Sequence, residues 1–415
     1  MKNKKFRLAT LGCRTNQYET QAYRDQLIAL GFEEAREGEE ADLCIVNTCT
    51  VTESADQSSR HQIHKFVKQN PNAQVVVTGC SAERQPELIA SIDGVTKVVP
   101  NSEKESLITE LLPEEEVPEF AIKNFEAHTR AFVKVQDGCN SFCTYCIIPY
   151  VRGRSRSRSI DEIVKEVKQL VLSGYKEVVI TGINVGDYCD GDQGLADLIQ
   201  VVDQVEGIER VRLSSIDPDE VDEKLMTAIL KGKHTCHSLH IVLQAGSNVI
   251  LKRMNRKYTR QIFLESVEKL KKASPDFTFT TDVIVGFPGE TEADFQETLE
   301  VMRSVKFAKV HMFPYSRREK TRAALYPNQV PHNIVQTRKN EVLRLAEAMS
   351  FELRNAYVGR TMCILTENCE ADSTVGHTEN FLLVQVPGVQ VAANQLISVK
   401  FIKNTPEALI GIPAA

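Results

Sequence analysis

Cys139, Cys143 and Cys146, in the run DGCNSFCTYC, are spaced C-x3-C-x2-C. Three thiolates on one short loop can hold three irons of a [4Fe-4S] cube and leave the fourth iron open to a substrate. A structural zinc site normally has four ligands in two pairs, and no second C-x2-C or H-x3-H half follows here. A disulfide is equally disfavoured. The chain opens on MKNKKFRLAT with no apolar signal segment, so its thiols are expected to stay reduced in a cytoplasmic setting. The spacing points to redox or catalytic iron–sulfur chemistry.

Three further cysteines acquire meaning from the elements before them. The first hundred residues alternate strand-like and helix-like segments, the pattern of an α/β domain with a parallel sheet. FRLAT, LCIVNT and QVVVTG read as strands, and Cys13, Cys49 and Cys80 stand at their C-terminal ends. In an open parallel sheet those ends form the ligand crevice, so the three thiols are expected to converge as a second cluster site. Between the strands, Asn16 with Glu19 reads as a helix cap, followed by an apolar face of Tyr23, Leu27 and Leu30 that stops at Gly31. A polar helix is expected over 53–69, and Ser81, Arg84 and Pro86 open another. Cys44 lies inside a strand and reads as core; His61 and His64 read as a solvated helix face.

Residues 101–128, with the acidic, proline-bracketed LLPEEEVPEF, read as a linker. From residue 131 six strand candidates (AFVKVQ, KEVVITG, RVRLSS, SLHIVLQ, FTFTTDVIVG, AKVHMFPY) alternate with helices near 160–173, 194–204, 219–230, 259–272 and 291–304. This predicts a partial (β/α)6 barrel, whose chemistry sits at the C-terminal ends of its strands. The loop of Cys139, Cys143 and Cys146 follows the first strand. Gly182 and Asn184 follow the second, Ser214 ends the third, Gln244 and Ser247 follow the fourth, and DVIVGFPGET ends the fifth. His234, Cys236, His237 and His240 straddle a loop and a strand start, where a shared metal is not expected.

A 415-residue chain with 42% hydrophobic residues can bury more than one core. The expected architecture is three domains: 1–115 α/β, 125–355 the barrel, and 356–415 a small β-barrel with strands TMCILTE, FLLVQVPG and LISVKFIK. A long helix over about 333–357, with Val335, Val342, Met349, Leu353 and Tyr357 on one side, should brace the barrel. No run is long enough for a membrane span, and a net charge of -6 argues against nucleic-acid binding over the whole surface. Positive charge is nevertheless concentrated in three strips after barrel strands: Arg152, Arg154, Arg156 and Arg158; Lys252, Arg253, Arg256, Lys257 and Arg260; Arg317, Arg318, Lys320 and Arg322. Three strips around one mouth predict a polyanionic substrate. The tail has three Lys and Arg against five Asp and Glu, so it would hold RNA by shape and hydrogen bonds; Cys363 and Cys369 read as structural.

The cysteine loop, with Tyr145 before its last cysteine, resembles the radical S-adenosylmethionine (SAM) superfamily, and the order of α/β domain, barrel and TRAM-like RNA-binding tail resembles the methylthiotransferases. TLGCRTNQYE, NTCTVT, TGC, DGCNSFCTYCIIPYVRG, LQAGS, DVIVGFPGET and FPYS carry that likeness over essentially the whole chain. NTCTVTESAD and RGRSRSRS resemble the branch acting on N6-threonylcarbamoyladenosine at tRNA position 37; the isopentenyladenosine branch carries a glutamate where this chain has Ser155. The resemblance implies two [4Fe-4S] clusters, on Cys139, Cys143 and Cys146 and on Cys13, Cys49 and Cys80. It also implies SAM beside Tyr145, Gly182 and Asn184, with ribose and adenine contacts from Ser214, Gln244 and Ser247. A 5'-deoxyadenosyl radical would activate C2–H of the adenine, which no general base can deprotonate. The methylated sulfur would come from the second cluster. Implied partners are a tRNA anticodon stem-loop and a flavodoxin- or ferredoxin-type electron donor. The alternative readings are a methylthiotransferase acting on isopentenyladenosine or on a ribosomal-protein aspartate, and, outside enzymes, an iron–sulfur electron carrier or RNA-binding scaffold.

Overall fold

Short β-branched runs alternating with amphipathic segments give this chain two parallel sheets in succession, followed by a closed antiparallel-rich barrel. The computed structural model describes residues 4–125, 129–370 and 372–414. Residues 126–128 of the expected linker and the side chain of Cys369 lie outside the described part.

The first sheet has five parallel strands, ordered in space Glu33–Glu34, Lys5–Thr10, Leu43–Thr48, Gln74–Gly79, Val95–Val98. Leu43–Thr48 lies at its centre and is buried throughout, which explains its near-continuous apolar run. Its register with its neighbours, Thr10 opposite Asn47 and Thr48 opposite Gly79, brings the three strand ends level. The helix Glu53–Gln69 starts where expected, capped by Thr52 accepting from the Ala55 amide.

Two expectations for this region are corrected. The first helix, Arg14–Ala29, begins with Cys13 as its N-cap, so Asn16 and Glu19 are not a cap but buried positions inside it. Their polarity serves a buried network described below. The stretch 101–128 is not a free linker either: Leu107 and Ile108 join the core of the first domain, whereas Ile122 and Phe125 are buried in the core of the second. Tyr18 and Ala22 of the first helix also enter that second core, so the two domains are packed on each other.

The middle domain has the six expected strands: Arg130–Lys134, Glu177–Thr181 and Arg210–Leu213 pair in parallel in chain order, as do Ser238–Ile241, Thr278–Val285 and Lys309–Pro314. The third strand is broken at Ser214 and resumes at Ser215–Ile216, which pairs with the fourth. The outer helices Ile160–Leu172, Leu195–Asp203, Glu223–Lys231, Arg260–Ala273 and Glu292–Val305 fall within a few residues of the expected positions. A short helix, Asn248–Arg253, follows the fourth strand in addition. The long helix His332–Asn355 buries Val342 and Met349 against the barrel, while Tyr357 lies beyond it in the core of the tail. That tail is a closed barrel of five strands: Ser373–Thr378 and Leu409–Pro413 join the three expected ones. Both additions are short and interrupted by glycine, which hides them from an apolar-run search.

Candidate functional site: two cysteine triads across one interface

Cys13, Cys49 and Cys80 are brought together by bonds between the loops that carry them. Asn16 Nδ2 donates to Leu11 O (2.7 Å) and Thr48 O (3.0 Å), tying the Cys13 loop to the Cys49 loop. Thr48 Oγ1 donates to Thr78 O (2.6 Å) and accepts from the Ser81 and Ala82 amides (both 3.2 Å), tying the Cys49 strand to the helix that begins at Cys80. Gly12 is required by this closeness: at φ +97°, a Cβ there would lie 2.7 Å from Cys49 Sγ. Burial, with Cys80 and Cys13 adding to it, pushes the Cys49 thiol up to about 12. Burial also raises Cys80, opposed by the nearby Arg152 guanidinium.

The second triad is held by one loop folded against the barrel rim. Gly138, at φ +74°, lets the chain pass so close to the Arg154 carbonyl that a Cβ would fall 2.1 Å from it. Phe142 takes the left-handed conformation at φ +47°, a strained arrangement for a side chain of its size, between the first and second cysteines. The Ser141 amide lies 3.4 Å from Cys139 Sγ, and Arg256 Nη1 donates to Cys143 Sγ at 2.9 Å. Burial raises both Cys139 and Cys146, and for Cys146 the neighbouring Cys143 adds to it.

The triads meet. Cys80 shares one apolar cluster with Ile147, Ile148 and Val151, against which Cys139 and Cys146 pack. Arg152 crosses the same boundary: its Nε donates to Cys80 Sγ (3.2 Å), and its Nη1 to Glu19 (3.0 Å) and Asp137 (2.8 Å), while Nη2 bonds Asn16. Lys104 pairs with Glu19 at 2.7 Å and with Asp137, and Lys134 lies 3.8 Å from Glu19. Burial alone would raise the Glu19 carboxyl, but Arg152, Lys104 and Lys134 together hold it down to about 2. Arg152 is therefore the joint between the two sites and not the RNA-facing surface charge its place in a basic strip predicts.

All six cysteines are free thiols, the donor type that holds iron–sulfur clusters. Thiols neutralised by burial are stabilised as thiolates once iron is bound, and charge-assisted N–H donors to sulfur, as from Arg152 and Arg256, are a recognised means of tuning such clusters.

Around the second triad stand the remaining rim residues. Gln136 Oε1 accepts from the Ile183 and Asn184 amides (both 3.0 Å), and its Nε2 donates to Gly138 O (2.8 Å) and Ser155 Oγ (2.7 Å). It thus laces the Gly182–Asn184 turn to the cysteine loop, and a Cβ at Gly182 would lie 2.9 Å from it. Asn184 Nδ2 donates to Glu220 (2.9 Å), whose carboxyl burial pushes up to about 7, with Asp217 adding to it. Tyr145 stands edge-on to Phe287 at 6.4 Å. Ser214 Oγ and Gln244 Oε1 are buried without a partner among the described residues, and Gln244 holds φ +59°. Ser247 is turned the other way, donating to Asp294 at 2.5 Å, and is 1% exposed. Asp217, which pairs with Arg256, and Glu220 carry no spacing signal in the sequence that would mark them as rim residues.

A profile of the Radical SAM superfamily matches residues 133–302, and one described as Uncharacterized protein family UPF0004 matches residues 5–100. Threonylcarbamoyladenosine tRNA methylthiotransferase MtaB of Chlamydia pneumoniae is 51% identical over 98% of this chain and 97% of its own length. The protein of that name from Bacillus subtilis is 38% identical over 95% and 93%, respectively. The chain belongs to the radical SAM methylthiotransferases. The family also includes the tRNA-2-methylthio-N(6)-dimethylallyladenosine synthase of Clostridium perfringens, 36% identical over 99% of this chain and 98% of its own. In fold, this methylthiotransferase is like the radical SAM methyltransferase TsrM from Kitasatospora setae, with a TM-score of 0.57 and 14% identity over 89% of this chain and 79% of that one.

In this methylthiotransferase the three basic strips divide into inner and outer members. Arg152, Arg256 and Arg318 are paired with internal carboxylates, and Arg158 pairs with Glu166 at 2.6 Å. Arg154, Arg156, Lys252, Lys257, Arg317, Lys320 and Arg322 remain exposed. Cys44 is core, His61 and His64 are exposed, and His237 stacks on Phe277 while His240 bonds Thr280. Cys363 is exposed, on the first strand of the tail. Among the described residues no helix is long and apolar enough to cross a membrane.

Proposed function

We propose that this enzyme transfers a methylthio group to C2 of N6-threonylcarbamoyladenosine at tRNA position 37, giving the 2-methylthio derivative. The carrying observation is that two sets of three free cysteines meet: Cys80 of one shares an apolar cluster on which Cys139 and Cys146 of the other pack, and Arg152 bonds both Cys80 and Asp137 at the base of the cysteine loop. Its fit to that chemistry is supported by the likeness to threonylcarbamoyladenosine tRNA methylthiotransferases over nearly the full chain.

When bound, a [4Fe-4S] cluster with SAM supplies a carbon radical, and a second cluster supplies the sulfur to be methylated and transferred. Cys139, Cys143 and Cys146 would hold the first, and Cys13, Cys49 and Cys80 the second. Tyr145, Gly182 and Asn184 would flank SAM, with Gln136 fixing the turn that carries the latter two. Ser214 and Gln244, with unpartnered polar atoms, offer further contacts; Ser247 would act through Asp294. Arg152 fixes the distance between the sites, because it bonds Cys80 and Asp137 at once. Ile147, Ile148 and Val151 exclude water from the gap, which protects a radical from side reactions. The exposed basic residues would engage the anticodon stem-loop phosphates, and the tail barrel would hold RNA by shape. A flavodoxin- or ferredoxin-type protein would deliver electrons.

The test is mass spectrometry of tRNA nucleosides from a strain lacking this gene. Loss of 2-methylthio-N6-threonylcarbamoyladenosine, restored by the wild-type gene, is expected. Its persistence, with loss of the methylthio isopentenyl nucleoside, would move the enzyme to the other tRNA branch; loss of methylthioaspartate from a ribosomal protein would move it off RNA.

A further inference from the structure

Beside the cysteine triad of the first domain opens a cleft of about 780 Å³, walled by the start of the helix Glu53–Gln69, by Arg84 and by the segment 317–325 that follows the last barrel strand. Six basic side chains face three acidic ones along its wall. Its organising residue is Asp56, which is 4% exposed. Asp56 Oδ2 accepts from Arg84 Nη1 (2.7 Å) and from Arg318 Nη1, so two guanidiniums share one carboxylate and a net positive charge remains. Asp56 Oδ1 accepts from Thr50 Oγ1 (2.5 Å) and Ser81 Oγ (3.3 Å). Thr50 directly follows Cys49, and Ser81 directly follows Cys80. The arginine pair is therefore bolted to the two loops that present the sulfur ligands.

The pair is not saturated. Arg318, whose side chain is 3% exposed, leaves its Nε without a hydrogen-bond partner among the described residues. Among the described residues the ion partner of Arg84 Nη2 is Glu319, at 3.8 Å, whose side chain is 87% exposed. Each guanidinium carries five N–H donors in a rigid fork suited to a planar carboxylate. Fixed, partly desolvated donors with excess positive charge are an oxyanion site prepared in advance.

The substrate has such a group on the required side. In adenine, C2 and C6 both adjoin N1, so a substituent on N6 leaves the ring along the same edge as the carbon that receives sulfur. Threonylcarbamoyl ends in a carboxylate; a dimethylallyl group is uncharged. We propose that Arg84 and Arg318, held by Asp56, receive the threonyl carboxylate and so select the anionic N6 substituent over the apolar one. This rests on the threonylcarbamoyladenosine reading above.

The test uses anaerobically reconstituted full-length enzyme and anticodon stem-loop RNAs carrying N6-threonylcarbamoyladenosine, its methyl ester or plain adenosine at position 37. Methylthio product (kcat/KM) and binding by fluorescence anisotropy are measured at one ionic strength. For the wild type, the free acid is expected to exceed the ester by roughly tenfold or more, the scale of a lost charge-assisted contact. Arg84→Gln should bring the acid-to-ester ratio of kcat/KM down to about one, whatever happens to the absolute rates, and Arg84→Lys should recover part of the ratio. Equal wild-type use of acid and ester would overturn the proposal, and needs no variant, so a folding defect in Arg84→Gln does not blunt it. Equal weakening of all three RNAs by Arg84→Gln would assign the cleft to backbone phosphate and overturn it too. Turnover of a dimethylallyladenosine RNA with none of either threonylcarbamoyl RNA would remove the substrate reading itself, a failure visible apart from the other two.

Discussion

The two cysteine triads of this enzyme are built in opposite ways. Cys139, Cys143 and Cys146 sit on one loop, where chain connectivity keeps three sulfurs near each other whatever the rest of the fold does. Cys13, Cys49 and Cys80 come from three strand ends and converge only because the strands are parallel, in register and stitched by Asn16 and Thr48. The first triad is a property of a peptide segment; the second is a property of a domain. Yet Cys80 of the dispersed triad and Cys139 and Cys146 of the local one pack in one apolar cluster beside Arg152, so on the proposed function both would have to be placed with equal accuracy.

The comparison is broken most severely by removing one triad at a time. Replacing Cys139, Cys143 and Cys146 by Ala should abolish both reductive SAM cleavage and methylthiolation, read as 5'-deoxyadenosine and modified nucleoside by chromatography. Replacing Cys13, Cys49 and Cys80 should abolish methylthiolation and leave 5'-deoxyadenosine formation. Loss of both products in each variant would deny the division of labour.

A sharper lesion is one methyl group. Gly12→Ala places a Cβ 2.7 Å from Cys49 Sγ at φ +97°, and Gly138→Ala places one 2.1 Å from the Arg154 carbonyl at φ +74°. The first should lower iron in the dispersed site alone, and the second in the loop site alone, with losses of at least half of one cluster. Mössbauer spectra separate the two. Identical spectra from both variants would show that the sites are not independently assembled.

The joint between them is the next target. Arg152→Met leaves Glu19 and Asp137 buried with one cation fewer, a defect worth about 3–5 kcal/mol, read as a lower midpoint in chemical denaturation. Because Arg152 also donates to Cys80 Sγ, the same variant should make the reduction potential of the dispersed cluster more negative, which a purely structural role would not do. Arg256→Gln should do the same to the loop cluster, through Cys143.

The smallest expected effect is in acid. Glu19 is depressed from 4.5 to about 2 in the folded state. The unfolded chain therefore binds more protons between those values, so the contribution is complete above pH 4.5 and is lost as pH falls toward 2, amounting to about 3 kcal/mol at most. Glu19→Gln should flatten that part of the stability profile relative to wild type, followed by circular dichroism.

What could be read from the chain divides along the same line. The loop triad was legible from spacing alone, and the dispersed one from three strands whose last residues precede a cysteine, because strand direction fixes where side chains end up. The barrel strands and outer helices were legible for the same periodic reason. Asn16 and Glu19 were misread as a cap because polar residues at a helix start satisfy amides far more often than they meet a buried Arg152 from another domain. Arg152 and Arg318 were misread as surface charge because composition reports sign and not partner: the carboxylates that bury them lie 133 and 262 positions away in sequence. Two of the five tail strands escaped notice because they lack a sustained apolar run.

The most direct measurement is iron and acid-labile sulfide per chain, with Mössbauer spectra, on anaerobically reconstituted wild type and the two triple cysteine variants. Two sites require about eight irons in the wild type and about four in each variant. About four in the wild type, or about eight remaining after Cys13, Cys49 and Cys80 are replaced, would contradict the two-cluster account.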